Sequence, residues 1–596
     1  MRARKLLATN ALAALVAICA ACGEGHTPTP LTPPDPCVRT DLDTLPPVVP
    51  HTARWAFEPW ISKDISDRAD TYAYVDGFRD RGIPVGAVVL DSPWETHYNT
   101  FVPNPARYGD FPSLIADMHA RGVRVVLWIT SLVNETSFDF EPGGDQYVGA
   151  SPNLKEGQRC KYVVDDGSTY GWWKGLGAAV DFFNPHARAW WHRQQDNVLK
   201  SGIDGWKLDF GESYVKSDPL ATAEGPQPHQ LYSERYYEDF LAYGRSVRGP
   251  DFVTAVRAWD QSYEFPGRFF AKKEHAPLAW MGDNRRDWVG LIDALDEMFI
   301  SARAGYVVVG SDIGGYLDHD DKNLLGPQIP FDSLNYARWA AVGALSPFML
   351  LHGRGNPAPW ALPDHVDETV ALYKYWATLH HALVPFLYSL SEEGYAAGAA
   401  SRSIMRPVGE PGSWGGDYRY LLGDAFLVAP LLDATGKRAV TLPAGARWYD
   451  WWTTATSDGG QTVQADFASD RAKLPLWVRE GAIVPLDIEN DVLGLGADDS
   501  RGARTILAWP SATPSKFEVH EADGAKVTLS LQATTTGWSL TLSALPAPVI
   551  LRVRAEVAPL AIDGAGVTST YDAARRTSIV RVPARAGSLT VTARNP

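Results

Sequence analysis

The chain has 596 residues, 45% of them hydrophobic and 21% charged. That is enough for about four domains, or one large barrel with smaller modules, and it excludes wholesale disorder. A formal net charge of −15 argues against a nucleic-acid binder, which would present a basic face.

The first 22 residues read as a leader. Arg2, Arg4 and Lys5 precede an apolar run from Leu6 to Ile18, followed by Ala20, Ala21 and Cys22. This is the pattern of a secretory signal, and the run is too short for a spanning helix. Ala20-Ala21-Cys22 resembles a bacterial lipoprotein cleavage site, with Cys19 where leucine is usual. The expectation is an exported protein, anchored to a bacterial membrane only through lipid on Cys22 and facing the periplasm or the cell exterior. Plain secretion is the alternative. Residues 23–52 contain Pro28, Pro30, Pro33, Pro34, Pro36, Pro46, Pro47 and Pro50 and read as a semi-rigid extended spacer. Only Cys37 and Cys160 remain for the folded body. In an oxidising compartment two leftover thiols pair, so a Cys37–Cys160 disulfide is expected.

Residues 53–390 alternate short β-rich runs with amphipathic helical stretches. The runs are Val85–Leu90, Val123–Ile129, Gly205–Leu208, Phe252–Val256, Leu278–Gly282, Tyr306–Gly310 and Phe348–Leu351. The helical stretches include Phe111–Ala120, Ala187–Lys200, Leu231–Val247, Asp287–Ala302 and Ser333–Ala344. This alternation predicts a parallel sheet of the α/β class, and the length suits a (β/α)8 TIM barrel. Nearly every run ends in a residue able to do chemistry: Asp91, Trp128, Asp209, Arg257, Asp283, Asp312 and His352. One strand-end Asp is by default a helix cap. Several at the same strand position should instead converge on the barrel mouth.

No His-Glu-x-x-His or cysteine cluster marks a metal site, and neither metal nor cofactor is expected. Gly310–Gly315 is glycine-rich but lacks the Lys-Ser/Thr of a phosphate loop, and no nucleophile elbow is present. Paired carboxylates without a metal suit glycoside hydrolysis: one attacks the anomeric carbon and the other protonates the leaving oxygen. Twenty-two tryptophans fit either a large aromatic core or a groove that packs on sugar faces.

Four motifs then stand in order. Lys207-Leu208-Asp209-Phe210-Gly211-Glu212, Trp280-Met281-Gly282-Asp283-Asn284, Ser311-Asp312-Ile313-Gly314-Gly315-Tyr316 and Arg338-Trp339 through Ser346–Gly353 resemble the signatures of glycoside hydrolase family 31. The resemblance implies Asp209 as nucleophile and Asp283 as general acid and base. It implies Asp91, Arg257, Asp312 and His352 as ligands of the first-subsite sugar, with Lys207 beside the nucleophile. Trp128 would wall the pocket, together with Trp173 or Trp172 from an insertion near Glu141–Gly177. Lys207 and Phe210 flanking the nucleophile resemble the α-xylosidase-like branch. Glu212 reads as a supporting residue.

Members of that family usually carry a β-sandwich before the barrel, and here only the proline-rich stretch precedes it. The insertion is expected to compensate. After residue 390, short alternating runs with Gly, Pro and Thr predict two β-sandwich domains, 391–486 and 487–596. The expected function is a retaining α-glycosidase acting on α-linked oligosaccharides or glycosides, with α-glucoside or α-xyloside first and α-galactoside next. Three other readings stay open: a transglycosylase, a lyase on the same intermediate, and a non-catalytic surface glycan binder.

Overall fold

The computed structural model describes residues 35–261, 265, 267–320, 326–410, 412–496, 500 and 502–596. The leader, Cys19, Cys22 and the first part of the proline-rich stretch lie outside the described residues.

Eight parallel strands close into a barrel in chain order. They are β1 Trp60–Lys63, β2 Ala87–Leu90, β3 Arg124–Ile129, β4 Gly205–Leu208, β5 Val253–Arg257, β6 Leu278–Met281, β7 Val309–Ile313 and β8 Leu350–Leu351. Their residues are almost all buried, because helices cover the outside and side chains fill the inside. The sequence runs mark seven of the eight. β1 is missed, since Trp-Ile-Ser-Lys is only four residues long, hemmed in by Pro59 and Asp64. β7 starts three residues later than its run suggests. Its register, with Ala279 opposite Val309 and Asp312 opposite Leu350, places Asp312 inside the strand.

Helices Phe111–Ala120, Pro185–Leu199, His229–Arg248, Trp288–Arg303 and Ser333–Ala344 lie where the amphipathic stretches predict them. Their caps settle the question about strand-end aspartates. Asp67, Asp110, Asn184, Asp287 and Asp332 accept from the first-turn N–H groups. Asp91, Asp209, Asp283 and Asp312 cap no helix among the described residues.

Residues 35–53 have no regular secondary structure, as their prolines require, but they are not a free spacer. Cys37 is disulfide-bonded to Cys160. Tyr162 donates to the Cys37 carbonyl at 2.7 Å, and Asp43 pairs with His192 at 2.7 Å and with Arg193. Arg245 donates to the carbonyls of Val49 and His51. The spacer reading is thus corrected for this part. The acidic and carbonyl groups of the segment find cations on helices Pro185–Leu199 and His229–Arg248, which strap it to the barrel wall.

Beyond the barrel a six-stranded sheet has Met405–Pro407 and Thr456–Asp458 at its edges and includes Leu476–Arg479, and the pair Lys437–Thr441 and Thr462–Asp466 packs with it through a shared apolar cluster. Two five-stranded sheets form the last domain around their own apolar core. Strand Ile483–Asp487 pairs with Arg504–Ala508 in that last domain. The junction therefore falls before Ile483, not at 486/487.

Candidate active site

The carboxyl ends of the barrel strands surround a narrow cavity of about 50 Å³. Asp91 after β2, Trp128 on β3, Lys207 and Asp209 at the end of β4, Asp283 after β6 and His352 after β8 all line it. This is the mouth at which barrel enzymes place their chemistry.

Arg257, the last residue of β5, organises the pair of carboxylates. Its Nη2 donates to Asp209 Oδ1 at 2.9 Å and to Asp283 Oδ2 at 2.8 Å. The sum of those distances bounds the separation of the two oxygens at about 5.7 Å. Nη1 donates to Asp260 at 3.2 Å and to the Gly282 carbonyl at 3.0 Å. The guanidinium is fully buried and lies over the rings of Phe210 and Trp280, 4.2 and 3.8 Å from their centroids. Asp209 also accepts from Trp128 Nε1 at 3.0 Å and from the Phe210 N–H at 2.9 Å. Burial alone would raise its pKa. The charges of Arg257 and Lys207 and these hydrogen bonds reverse that and hold the carboxyl at about 2. Asp209 is an anion at any ordinary pH. Asp283 sits at φ +64°, a left-handed conformation costly for a non-glycine residue and typical of functional positions.

A second cluster lies beside the first. Lys207 Nζ donates to Asp91 Oδ2 at 2.7 Å and stands 4.3 Å over the Trp280 ring. His352 Nε2 is 2.9 Å from Asp64 Oδ1 and 3.8 Å from Asp91, while its Nδ1 is 3.4 Å from Asp312. Burial lowers the proton affinity of His352, and Lys207 lowers it further. Asp64 and Asp312 outweigh both and raise its pKa to about 10, so the imidazole is a cation. Asp64, the residue after β1, escaped the sequence reading because its strand did. Asn356 clamps it by accepting from its N–H at 2.8 Å and donating to its carbonyl at 3.1 Å. Asp64, Asp91 and His352 place ligand atoms within 4.8 Å of one another, as a metal site would. Two cations, Lys207 and His352, already fill that role, and the cluster does not fit a metal ion.

The insertion between β3 and β4 forms a three-stranded sheet, Leu132–Ser137, Gly175–Ala179 and Tyr170–Trp172, with helix Leu154–Arg159. Asp139, Phe140, Glu141, Trp173 and Lys174 bring it to the cavity. Glu141 ties it to the barrel by accepting from Tyr316 at 2.8 Å and from Arg354 at 3.2 Å. Of the two neighbouring tryptophans, Trp173 lines the cavity. Trp172 is core and donates to Asn134 at 2.8 Å.

The expected sugar ligands divide. Asp91, Trp128, Trp173, Lys207 and His352 form the cavity wall. Phe210, Arg257 and Asp312 do not. All three are fully buried one layer behind it, where Phe210 packs on Arg257 and Phe270, and Asp312 accepts from Trp280 at 2.7 Å. Phe210 follows Asp209, and its ring faces Phe270 and the Arg257 guanidinium instead of the cavity. Glu212 faces away from the cavity. It accepts from Tyr237 at 2.8 Å and Ser233 at 3.3 Å, and burial raises its pKa to about 7.

The profile described as "Glycosyl hydrolases family 31 TIM-barrel domain" matches residues 49–390, more than half of the chain. The chain belongs to glycosyl hydrolase family 31. The profile of the family 31 C-terminal domain matches residues 403–484. A 1,3-alpha-isomaltosidase from Kribbella flavida is 29% identical over 444 residues, covering 67% of this chain and 57% of that protein. An alpha-xylosidase from Emericella nidulans is 25% identical over 469 residues, covering 75% and 55%. This family 31 chain thus spans a little over half the length of these curated relatives. The solved cycloalternan-forming enzyme from Listeria monocytogenes shares the fold, with a TM-score of 0.76 at 19% identity over 93% of this chain and 55% of that one.

Proposed function

We propose that this family 31 protein is a retaining α-glycosidase that releases terminal α-linked sugars by double displacement. The observation that carries the reading is the shared Arg257 Nη2, which bounds the two acceptor oxygens at about 5.7 Å. Retaining enzymes hold their carboxyl groups about 5–5.5 Å apart, whereas inverting ones leave about 6.5–9.5 Å for a water. Asp209, kept ionised, attacks the anomeric carbon while Asp283 gives its proton to the leaving oxygen. A glycosyl ester on Asp209 results. Asp283, now a carboxylate, takes a proton from water, whose oxygen attacks the same carbon and frees Asp209. Two inversions give net retention. A sugar hydroxyl in place of that water would give transglycosylation on the same intermediate.

The names of the relatives support α-glucosides and α-xylosides as first substrates; α-galactosides come next on the sequence reading alone. The leader and Cys22 support export with a lipid anchor, which loss of membrane association in Cys22→Ser would test.

The deciding experiment is Asp209→Asn beside wild type on aryl α-glucoside, α-xyloside and α-galactoside, with the first-formed anomer followed by NMR. The wild type should release an α-anomer, and the variant should lose at least about 10³-fold in kcat/KM. Activity of Asp209→Asn close to wild type would refute the assignment. A β-anomer from the wild type would refute retention.

A further inference from the structure

The hairpin formed by Tyr170–Trp172 and Gly175–Ala179 is closed by a two-residue tip, Trp173-Lys174, with Trp172 opposite Gly175. Both tip residues line the catalytic cavity. The tip has little freedom in where it aims. Gly175 has φ +132°, and a Cβ there would lie 1.9 Å from the Thr136 carbonyl oxygen. No other residue allows the hairpin to close so tightly on strand Leu132–Ser137. The Lys174 carbonyl accepts from Asn134 Nδ2 at 3.0 Å and from the Phe138 N–H at 3.3 Å, which fixes the backbone from the other side.

The side chain of Lys174 is 3% exposed. Its Nζ gives one hydrogen bond to protein among the described residues, to Asp139 Oδ2 at 2.6 Å. An ammonium carries three donors. Asp139 is itself buried and accepts also from Tyr98 at 3.3 Å. A buried lysine with one protein acceptor, at the wall of a polar cavity, is costly unless something in the cavity takes the other protons. Burial opposes its charge, but Asp139, Glu141 and Asp91 hold it protonated.

Resting on the glycosidase reading, we propose that Lys174 is a specificity-determining residue: its ammonium donates to a ring hydroxyl of the terminal sugar in the first subsite. A hairpin outside the barrel would then select the sugar whose anomeric carbon the barrel attacks. Asp139, at 2.6 Å, and the Tyr98 ring, 5.4 Å from Nζ, hold the ammonium at the wall.

The test is a cycle between enzyme and substrate. Wild type and Lys174→Met are assayed on the aryl α-glycoside that the wild type turns over and on its monodeoxy analogues. Removing the hydroxyl that Lys174 binds should cost the wild type about 10- to 100-fold in kcat/KM, the range for a hydrogen bond to a charged group. Lys174→Met should lose a similar factor on the parent glycoside and less than about threefold more on that one analogue. Equal sensitivity of both enzymes to every deoxy position would overturn the proposal. Because Lys174→Met leaves Asp139 buried and unpaired, Lys174→Met with Asp139→Asn serves as a second variant with the same expectation. A wild type silent on all aryl α-glycosides would instead refute the glycosidase reading, and this inference with it.

Discussion

Replacing Arg257 by Met tests the electrostatics of the site most directly. The Arg257 guanidinium touches Asp209 at 2.9 Å, so the two charges are centred about 4 Å apart. At an effective dielectric of about 20 that attraction is worth about 4 kcal/mol, or about three pK units. Burial, Lys207 and the Trp128 hydrogen bond remain in the variant. The ionisation of Asp209 should therefore rise from about 2 to about 5. The sign follows from the carboxylate's depressed pKa: the working anion exists above the pKa, so the acid limb of kcat/KM moves to higher pH. At pH 4 the wild-type Asp209 is almost wholly ionised, and that of the variant only about one-tenth. The assay is a pH profile of kcat/KM from pH 3 to 8 on an aryl α-glycoside. Amplitude will fall as well, because Arg257 also holds Asp283, so the shape of the curve carries the test. Arg257→Lys keeps the charge and should keep the wild-type acid limb. Superimposable normalised profiles for wild type and Arg257→Met would refute the argument.

Two further substitutions probe the groups behind the wall. Asp64→Asn removes the carboxylate 2.9 Å from His352. A histidine raised to about 10 stabilises the fold fully below its unfolded value of about 6.5, and that contribution is lost as pH rises toward 10. In Asp64→Asn the loss should be smaller and complete at lower pH, so urea-unfolding stability should fall less from pH 6 to 9 than in the wild type; parallel curves would count against it. Glu212→Gln replaces a buried carboxyl raised to about 7. The wild type binds that proton more tightly when folded, so its stability falls as pH rises from about 4.5 to 7, by up to about 3 kcal/mol. The Gln variant should lack that slope and keep kcat/KM within a few-fold of wild type. A loss beyond about 100-fold would show Glu212 acting on substrate.

The sequence carries the site to the extent that the site is written at strand ends. Asp91, Asp209, Asp283 and His352 each follow a run that the period of apolar residues marks, and barrel topology turns that linear regularity into one mouth. The depth of a residue is not written there. Nothing local separates Lys207, which reaches the cavity, from Phe210, which turns behind it. That choice depends on Arg257 filling the space between the ring and Asp209. Asp64 is hidden because β1 has four residues and draws its identity from pairing with Ala87–Leu90 and Leu350–Leu351, a long-range cause. The insertion is visible as a length of chain, but the hairpin tip that aims Lys174 depends on one glycine meeting a carbonyl across a strand.

The shared nitrogen of Arg257 bears on how one pocket could run both halves of a double displacement. In the free enzyme Nη2 divides its donors between two carboxylates, at 2.9 Å and 2.8 Å. On the proposed mechanism, an Asp283 that carries the proton for the leaving group is neutral and competes weakly. The guanidinium charge then acts chiefly on Asp209, which must be an anion to attack. Once Asp209 is a glycosyl ester it is neutral in turn. The same charge then favours Asp283 as a carboxylate, the form needed to take a proton from water. A fixed cation between two groups that exchange charge thus stabilises whichever is anionic at each step, without moving. Burial sharpens the effect, since solvent screens little at a guanidinium with no exposed surface. A lysine at this position could keep the charge but not the flat guanidinium surface that packs between Phe210 and Trp280, which is why Arg257→Lys should preserve the acid limb while losing rate.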